Sequence, residues 1–250
     1  MRKTILITGG SRGIGAATAI KAAEAGYDVA INYVSNAAAA EAVVAACRKA
    51  GAKAEAYKAD TSNPEEIAAL FKWFDKTFGR MDAFFNNAGI VGPTARFEDI
   101  PLKRLQDTIA VNTVGAFVAA QEAVRRMSTR HGGKGGAIVN MSSIAAKIGG
   151  SGAQVDYAAS KGAIDTMTVG LAKEVADEGV RVNAVRPGLI YTDIHASMGV
   201  PDRVDQLKHL IPMKRGGTAE EVANAVIWLC SDASSYTTGT LVDVTGGRGL

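Results

Sequence analysis

Tyr157 and Lys161 stand at positions i and i+4 of the segment Asp156-Tyr157-Ala158-Ala159-Ser160-Lys161, and the pair Ser142-Ser143 closes an apolar run upstream of them. On a helix this spacing puts both side chains on one face, so an ammonium lies beside a phenol and favours its phenolate. A free tyrosine, with a pKa of about 10, shuttles protons poorly at neutral pH, and a nearby positive charge moves it in the useful direction. A serine hydroxyl at the end of a neighbouring strand would hold a carbonyl oxygen. Taken alone, a Tyr-Lys pair is more often an ordinary surface feature of an amphipathic helix. The elements around it change that balance.

At the N-terminal end, the apolar run Ile5-Leu6-Ile7 leads into Thr8-Gly9-Gly10-Ser11-Arg12-Gly13-Ile14-Gly15 and then an Ala-rich helical stretch. This reads as strand, glycine turn and helix. Gly9, Gly13 and Gly15 allow backbone conformations and close approaches that a Cβ would block, and the free N–H groups of the helix start suit a pyrophosphate. Ser11, Arg12 and Ile14 complete the loop. Its spacing departs from the common G-x-G-x-x-G pattern, so its placement between strand and helix carries the argument.

Strand-like apolar runs alternate with helical patterns along the chain, at residues 4–8, 28–33, 54–58, 83–86, 137–141, 181–185 and 241–244. Strands this short and apolar have no solvated face, which indicates a parallel sheet covered on both sides. The fold class expected is α/β, a Rossmann-like doubly wound domain with a seven-stranded parallel sheet and helices on both faces. Ligands bind beyond the carboxyl ends of such strands, where Gly9, Asn86, Ser143 and Pro187 fall. No linker or low-complexity stretch divides the chain, so residues 1–250 are expected to form one dinucleotide-binding and catalytic domain.

With Asn86-Asn87-Ala88-Gly89 added to the glycine loop, Ser143, Tyr157 and Lys161, the chain resembles the classical short-chain dehydrogenase/reductases over nearly its whole length. It is similar to 3-oxoacyl-carrier-protein reductases and glucose dehydrogenase-like members. The resemblance implies a carbonyl–alcohol oxidoreductase in which Tyr157 exchanges the proton, Lys161 lowers the phenol's pKa and holds the nicotinamide ribose, and Ser143 holds the substrate oxygen. Asn112 matches the helix asparagine that would hold a water of a proton relay; it would equally serve to satisfy a buried backbone group. Asn87, Ala88, Gly89 and Pro187-Gly188 are implied to border the cofactor. Asp60 is implied to meet its adenine, and Ile190 and Thr192 to orient its carboxamide. Ser143 fits the family spacing better than Ser142, which is expected to be a packing neighbour. Thr61 is implied to border the cofactor beside Asp60, while Thr61 and Ser62 read nearly as well as a cap for the helix starting at Pro64.

The choice of nicotinamide rests on the end of the second strand, Ile31-Asn32-Tyr33-Val34-Ser35. Tyr33 stands where an NAD-binding fold usually places a carboxylate for the ribose hydroxyl, and Arg12 can point a guanidinium at the same corner. NADP(H) is therefore the expected cofactor and NAD(H) the alternative. Asn32 and Ser35 would have to supply the neutral hydrogen bonds.

Residues 193–212 form the expected substrate lid and contain His195, Met198, Val200, Leu207, Leu210 and Ile211. Such a mixed lid admits a sugar, a steroid, a quinone-like ring or a β-keto thioester. Arg125, Arg126, Arg130, His131 and Lys134 make a basic cluster that would meet an acyl carrier protein, although such residues more often complement a helix C-terminus. The resemblance also implies a homotetramer with 222 symmetry, pairing through helices that begin near Asn112 and Tyr157. Ala116, Ala119, Ala120, Ala163 and Ala172 would let those helices approach closely, and residues 244–248 would pack across another subunit interface.

Composition excludes more than it selects. The chain of 250 residues is 47% hydrophobic and 21% charged, enough for a sizeable core, and its net charge of +3 gives no argument for nucleic acid. No run approaches the roughly 20 apolar residues of a membrane span, and the start does not read as a signal peptide, so a cytoplasmic protein is expected. Cys47 and Cys230 lack metal-ligand spacing and the three histidines are scattered, so no metal is expected. An NAD-preferring sugar or alcohol dehydrogenase remains a competing reading, as does a catalytically silent sensor or scaffold. The full set Asn112, Ser143, Tyr157 and Lys161 argues against silence, and the short chain argues against an extended-type epimerase.

Overall fold

The computed structural model describes residues 2–150 and 152–250. In chain order it contains β1 (Lys3–Ile7), α1 (Gly13–Glu24), β2 (Tyr27–Tyr33), α2 (Ala37–Lys49), β3 (Ala54–Lys58), α3 (Pro64–Phe78), β4 (Ala83–Asn86), α4 (Leu102–Ile109) and α5 (Ala116–Met127). There follow β5 (Gly136–Met141), α6 (Ile144–Ile148), α7 (Val155–Val175), β6 (Val180–Pro187), α8 (Ile194–Ser197), α9 (Arg203–Leu207), α10 (Ala219–Cys230) and β7 (Leu241–Val244). The seven strands pair in parallel in the order β3-β2-β1-β4-β5-β6-β7. The chain thus begins mid-sheet, winds to one edge and returns through β4 to the other. That reversal between β1 and β4 opens a crevice at their carboxyl ends.

Alternation along the strands divides the core in two. Ile5, Ile7, Val29 and Ile31 face α1, α2 and α10, where they meet Ala19, Ala22, Val44, Cys47, Val226 and Leu229. Leu6, Ala30, Phe84 and Ile138 face the other way, onto Ile67, Phe71 and Phe74 of α3, Ala123 of α5 and Val175 of α7. Both faces of the sheet are dry, which is why the strands read as continuous apolar runs. Three strands match their sequence boundaries and the others differ at their ends. β6 extends to Pro187 because Arg186 and Pro187 still pair with Asp243 and Val244 of β7.

Helix starts are locally encoded, with one correction. Asn63, not Thr61 or Ser62, caps α3: its side chain accepts from the backbone N–H groups of Glu65 and Glu66, and Pro64 takes the first helical position. Ser62 instead donates from its backbone and hydroxyl to Asp60, at 2.8 Å each. At α10, Thr218 and Glu221 form a reciprocal capping box.

Between α4 and α5, residues Ala110–Gly115 form a π-turn rather than the regular helix expected around Asn112. Gly115 explains part of this. A Cβ there would overlap the Thr61 carbonyl, so only glycine lets the turn press against the end of β3.

Two other expectations change. The alanines read as an intersubunit seam are largely taken up inside the chain: Ala116 and Ala120 of α5 pack on Ile164 and Met167 of α7, and Ala119 and Ala172 are buried in the main core. The basic cluster is largely met by the chain's own acids. Arg126 binds Asp75 at 2.7 Å and Glu122 at 2.6 Å while lying over the Phe71 ring, Arg125 binds Glu122, and Arg130 reaches Glu178. Cys47 and Cys230 are buried free thiols, pushed up to about 11 and about 12 by burial. Among the described residues no helix is long and apolar enough to cross a membrane.

Candidate active site

The carboxyl ends of the strands surround a cleft of about 650 Å³. Every residue expected at the site lines it except Asn112. The glycine loop is held by its neighbours: Asn87 donates to the carbonyls of Thr8 at 2.8 Å and Gly9 at 3.1 Å, and Thr8 Oγ1 accepts from the backbone N–H groups of Asn87 and Ala88. Gly9 and Gly13 have φ of +62° and +53°, the left-handed region that favours glycine. A Cβ on Gly15 would strike the Gly9 carbonyl and the Asn87 amide. The N-terminus of α1 has no side-chain cap, so its N–H groups face the cleft without a competing acceptor. These are the features an anionic pyrophosphate requires.

At the β2 corner the cleft is lined by Arg12, Tyr33, Val34, Ser35, Asn36 and Ala39, with no carboxylate among them. Asn32 does not serve as expected. Its carbonyl accepts from Gly9 N at 3.1 Å and its amide donates to the Ala59 carbonyl at 2.7 Å, so it ties β2 and β3 to the loop. Asn36, which carried no signal in the sequence, caps α2 at this corner by accepting from Ala39 N. Asp60 also lines the cleft, with one carboxylate oxygen held by Ser62.

On the other side, α7 projects Tyr157 and Lys161 into the cleft and the end of β5 supplies Ser143. Ser143 is extended and caps α6, its Oγ accepting from Ala145 N at 3.1 Å. The same side chain lines the cleft beside the Tyr157 phenol. Burial around the phenol raises its pKa above the ordinary value of 10, and the neighbouring Ser143 hydroxyl opposes that rise. This departs from the expected lowering by Lys161. The ammonium donates to the Met141 carbonyl at 2.8 Å and lies 5.7 Å from the Tyr157 ring centroid. Its own pKa is lowered to about 8, by burial first, with the Asp165 carboxylate pulling the other way.

Two more residues, Asn112 behind the cleft and Ser142 on its wall, have roles that spacing left open or misplaced. Asn112 is buried and clamps Ile90, accepting from its N–H at 2.8 Å and donating to its carbonyl at 2.9 Å; it also donates to Ser160 Oγ, which donates to the Tyr157 carbonyl. Of its two readings, satisfaction of a buried backbone is the one the geometry displays. Ser142 is more than a packing neighbour: its hydroxyl lies 2.6 Å from Asp165 and 3.3 Å from the Lys161 carbonyl. Asp165 in turn takes a two-nitrogen contact from Arg186 at 3.0 and 2.7 Å.

Pro187, Gly188, Ile190 and Thr192 border the middle of the cleft, and the 193–212 segment, with α8 and α9, borders its outer end through His195, Met198 and Arg203. Gln154 and Arg248 line the cleft as well. Gln154, Arg203 and Arg248 had no sequence signal, because only the fold brings them together.

A family model described as enoyl-(acyl carrier protein) reductase matches residues 9–248. The chain is 51% identical over 97% of its length to the uncharacterized oxidoreductase YgfF of Escherichia coli, covering 98% of that protein. It is 36% identical to the 3-oxoacyl-[acyl-carrier-protein] reductase FabG of Staphylococcus epidermidis, covering 99% of both chains. Among solved structures, a short-chain dehydrogenase of Burkholderia cenocepacia in complex with NADP superposes with a TM-score of 0.91 at 34% identity, covering 99% of this chain and 98% of that one. An NAD+-bound xylitol dehydrogenase gives 0.89 at 32% identity, with 98% of each chain covered. The chain therefore belongs to the classical short-chain dehydrogenase/reductase family. It is an NAD(P)-dependent oxidoreductase of that family.

Proposed function

We propose that this enzyme is an NADP(H)-dependent reductase that interconverts a carbonyl and a secondary alcohol, with Tyr157 as proton donor, Ser143 as oxygen-holding group and Lys161 as the supporting cation. The observation that carries the reading is the convergence of Ser143, Tyr157 and Lys161 on one cleft that also contains an uncapped helix start and a glycine loop shaped for a dinucleotide. The loop residues 9–15 and Asn87 would hold the pyrophosphate, and Lys161, Ile190 and Thr192 the nicotinamide side. When bound, the reduced nicotinamide supplies hydride to the carbonyl carbon.

The chain's own residues manage the oxygen. Ser143 donates to it as negative charge develops, which stabilises the transition state more than the ground state. Tyr157, kept protonated at neutral pH by its buried surroundings, delivers the proton. Lys161 supplies positive charge beside the phenol ring. Asn112 fixes the backbone at Ile90, and segment 193–212 acts as the lid.

NADP(H) preference is supported by Arg12, which is exposed, and by the absence of a carboxylate from the β2 corner. A homotetramer is supported by the apolar face left on the outside of α5 and its preceding turn, where Val114 and Phe117 are 47% and 41% exposed. The deciding experiment is NADPH consumption against a panel of ketones, aldehydes and keto acids. Turnover of none of them, with cofactor still bound, would leave the silent-sensor reading in its place.

A further inference from the structure

The outer end of the cleft gathers positive charge. Arg203, at the start of α9, is half-buried, and among the described residues its guanidinium has no carboxylate partner. Desolvation alone depresses its pKa. Burial lowers the pKa values of Arg248 and His195, which line the same cleft, and the nearby Arg203 charge adds to the lowering of both. Two guanidiniums and an imidazole therefore share one recess. A half-buried guanidinium with no carboxylate beside it costs stability, and folds keep such a group where a ligand of opposite charge offsets it.

Orphaned polar atoms point the same way. His195 is 7% exposed; its Nε2 donates to the Ile190 carbonyl at 2.9 Å, and its Nδ1, an acceptor in the neutral ring, has no partner among the described residues. Gln154 is 6% exposed, and its side-chain nitrogen, a donor, is also without a partner among the described residues. Buried polar groups are normally satisfied, so two orphans in one cleft mark a place where ligand atoms belong. The one carboxylate of the lid that lines the cleft, Asp193, is exposed and leaves both orphans unmet.

The backbone holds this recess closed on the far side. Gly246 and Gly247 lie in the left-handed region and pack against Ile211 and Pro212, and Gly249 lies against Ile144 and Ile148 of α6. The tail thus brings Arg248 between the lid and the helix that starts at Ser143. The walls nearer Ser143 are apolar, from Ile144, Ala145 and Ile148.

We infer that the substrate is a small carbonyl compound bearing an anionic group, a carboxylate or a phosphate ester, and that Arg203 and Arg248, with the Gln154 amide, bind that anion while the carbonyl lies at Ser143 and Tyr157 and His195 Nδ1 accepts from a ligand hydroxyl or water beside it. This assignment rests on the reductase reading for the carbonyl end. The anion end stands on its own set of residues.

The test compares matched pairs with NADPH: acetoacetate, levulinate and 5-oxohexanoate against their methyl esters, and dihydroxyacetone phosphate against dihydroxyacetone. In at least one pair the anionic member should have the higher kcat/KM by roughly tenfold or more, mostly through KM, and the series that responds tells carboxylate from phosphate. Arg203→Ala and Arg203→Gln should bring that ratio close to one, and Arg203→Lys should retain part of it. Equal use of the charged and neutral members by the wild type, or a preference that survives Arg203→Ala, would overturn the inference and leave the reductase standing. If no pair is turned over, the reductase reading falls. Calorimetric titration of the NADPH complex with succinate then decides the anion site: binding lost in Arg203→Ala upholds it, and no binding to the wild type overturns it.

Discussion

Arg104 of α4 grips Asp156 of α7 with two nitrogens, at 2.8 and 2.9 Å, one residue before Tyr157. The two side chains are 13% and 2% exposed, and the same guanidinium donates to the Pro93 carbonyl. The pair thereby joins the first turn of α7 to the loop that follows β4. Asp156→Asn would leave a nearly buried guanidinium uncompensated, a loss of about 3–5 kcal/mol. Urea denaturation should show that loss for the single variant, and the double replacement Arg104→Met with Asp156→Leu should recover most of it. A full-strength Asp156→Asn protein would show that the pair contributes little.

The proton-donor assignment is tested by Tyr157→Phe, which deletes one oxygen and little packing. Turnover on a substrate found by the carbonyl panel should fall by about 10²- to 10⁴-fold, with NADPH affinity held in a fluorescence titration. Lys161→Met should lose both together. Wild-type turnover in Tyr157→Phe would remove the tyrosine from the chemistry.

Burial holds the Lys161 ammonium at about 8, against an ordinary 10.5, with Asp165 opposing. Its proton is lost as pH rises through about 8, so carbonyl reduction should decline over that limb. Asp165→Asn removes the opposing carboxylate and should shift the limb to lower pH. The same depression acts on stability: the unfolded chain holds this proton more tightly, so the cost of burying the cation is present below pH 8 and is relieved between about 8 and 10.5. A rate limb that stays in place in Asp165→Asn would assign it to another group.

At the β2 corner, NADPH should bind at least several-fold more tightly than NADH, and Tyr33→Asp should reverse the order by placing a carboxylate against the 2′-phosphate. Arg12→Ala should weaken NADPH and leave NADH little changed. Equal affinities in the wild type would dispose of the argument from both residues.

Ser142→Ala should cost about 1–3 kcal/mol, since it removes a buried hydroxyl from Asp165 and the Lys161 carbonyl. Ser143→Ala should retain stability better and lose turnover by something like 3 kcal/mol of barrier. Chemical denaturation and kcat, measured on both variants, separate the two serines.

The parts of this molecule encoded in local spacing are legible in the order of residues alone. Tyr157 and Lys161 share a face because four residues nearly complete a helical turn, and the glycine loop announces itself between an apolar strand and an Ala-rich helix. The parallel sheet follows from strands with no polar alternation. What escapes depends on contacts between distant segments. Asn32 looks available at its strand end, yet its amide is taken up by Gly9 and Ala59. The alanines of α5 and α7 read alike for a core or a subunit seam, because small size serves both. Tyr157 beside Lys161 suggests a lowered phenol pKa, and burial, which spacing does not reveal, acts in the opposite direction. Gln154, the lid residues His195 and Arg203, and Arg248 belong to three different segments, and no pattern of types along the chain announces their meeting.

The π-turn at Ala110–Gly115 makes the position of Asn112 a matter of counting. Such a turn holds one residue more than the regular helix on either side of it, and each residue of an α-helix advances the next by about 100°. Deleting any one residue from the turn would let the helix close into ordinary register and would rotate α4, with Arg104 on it, relative to α5. The Asn112 amide would swing away from Ile90 at the same time. Chain length across these six residues is therefore under tighter constraint than most of their side chains: substitutions there leave the frame intact, and a single deletion breaks it.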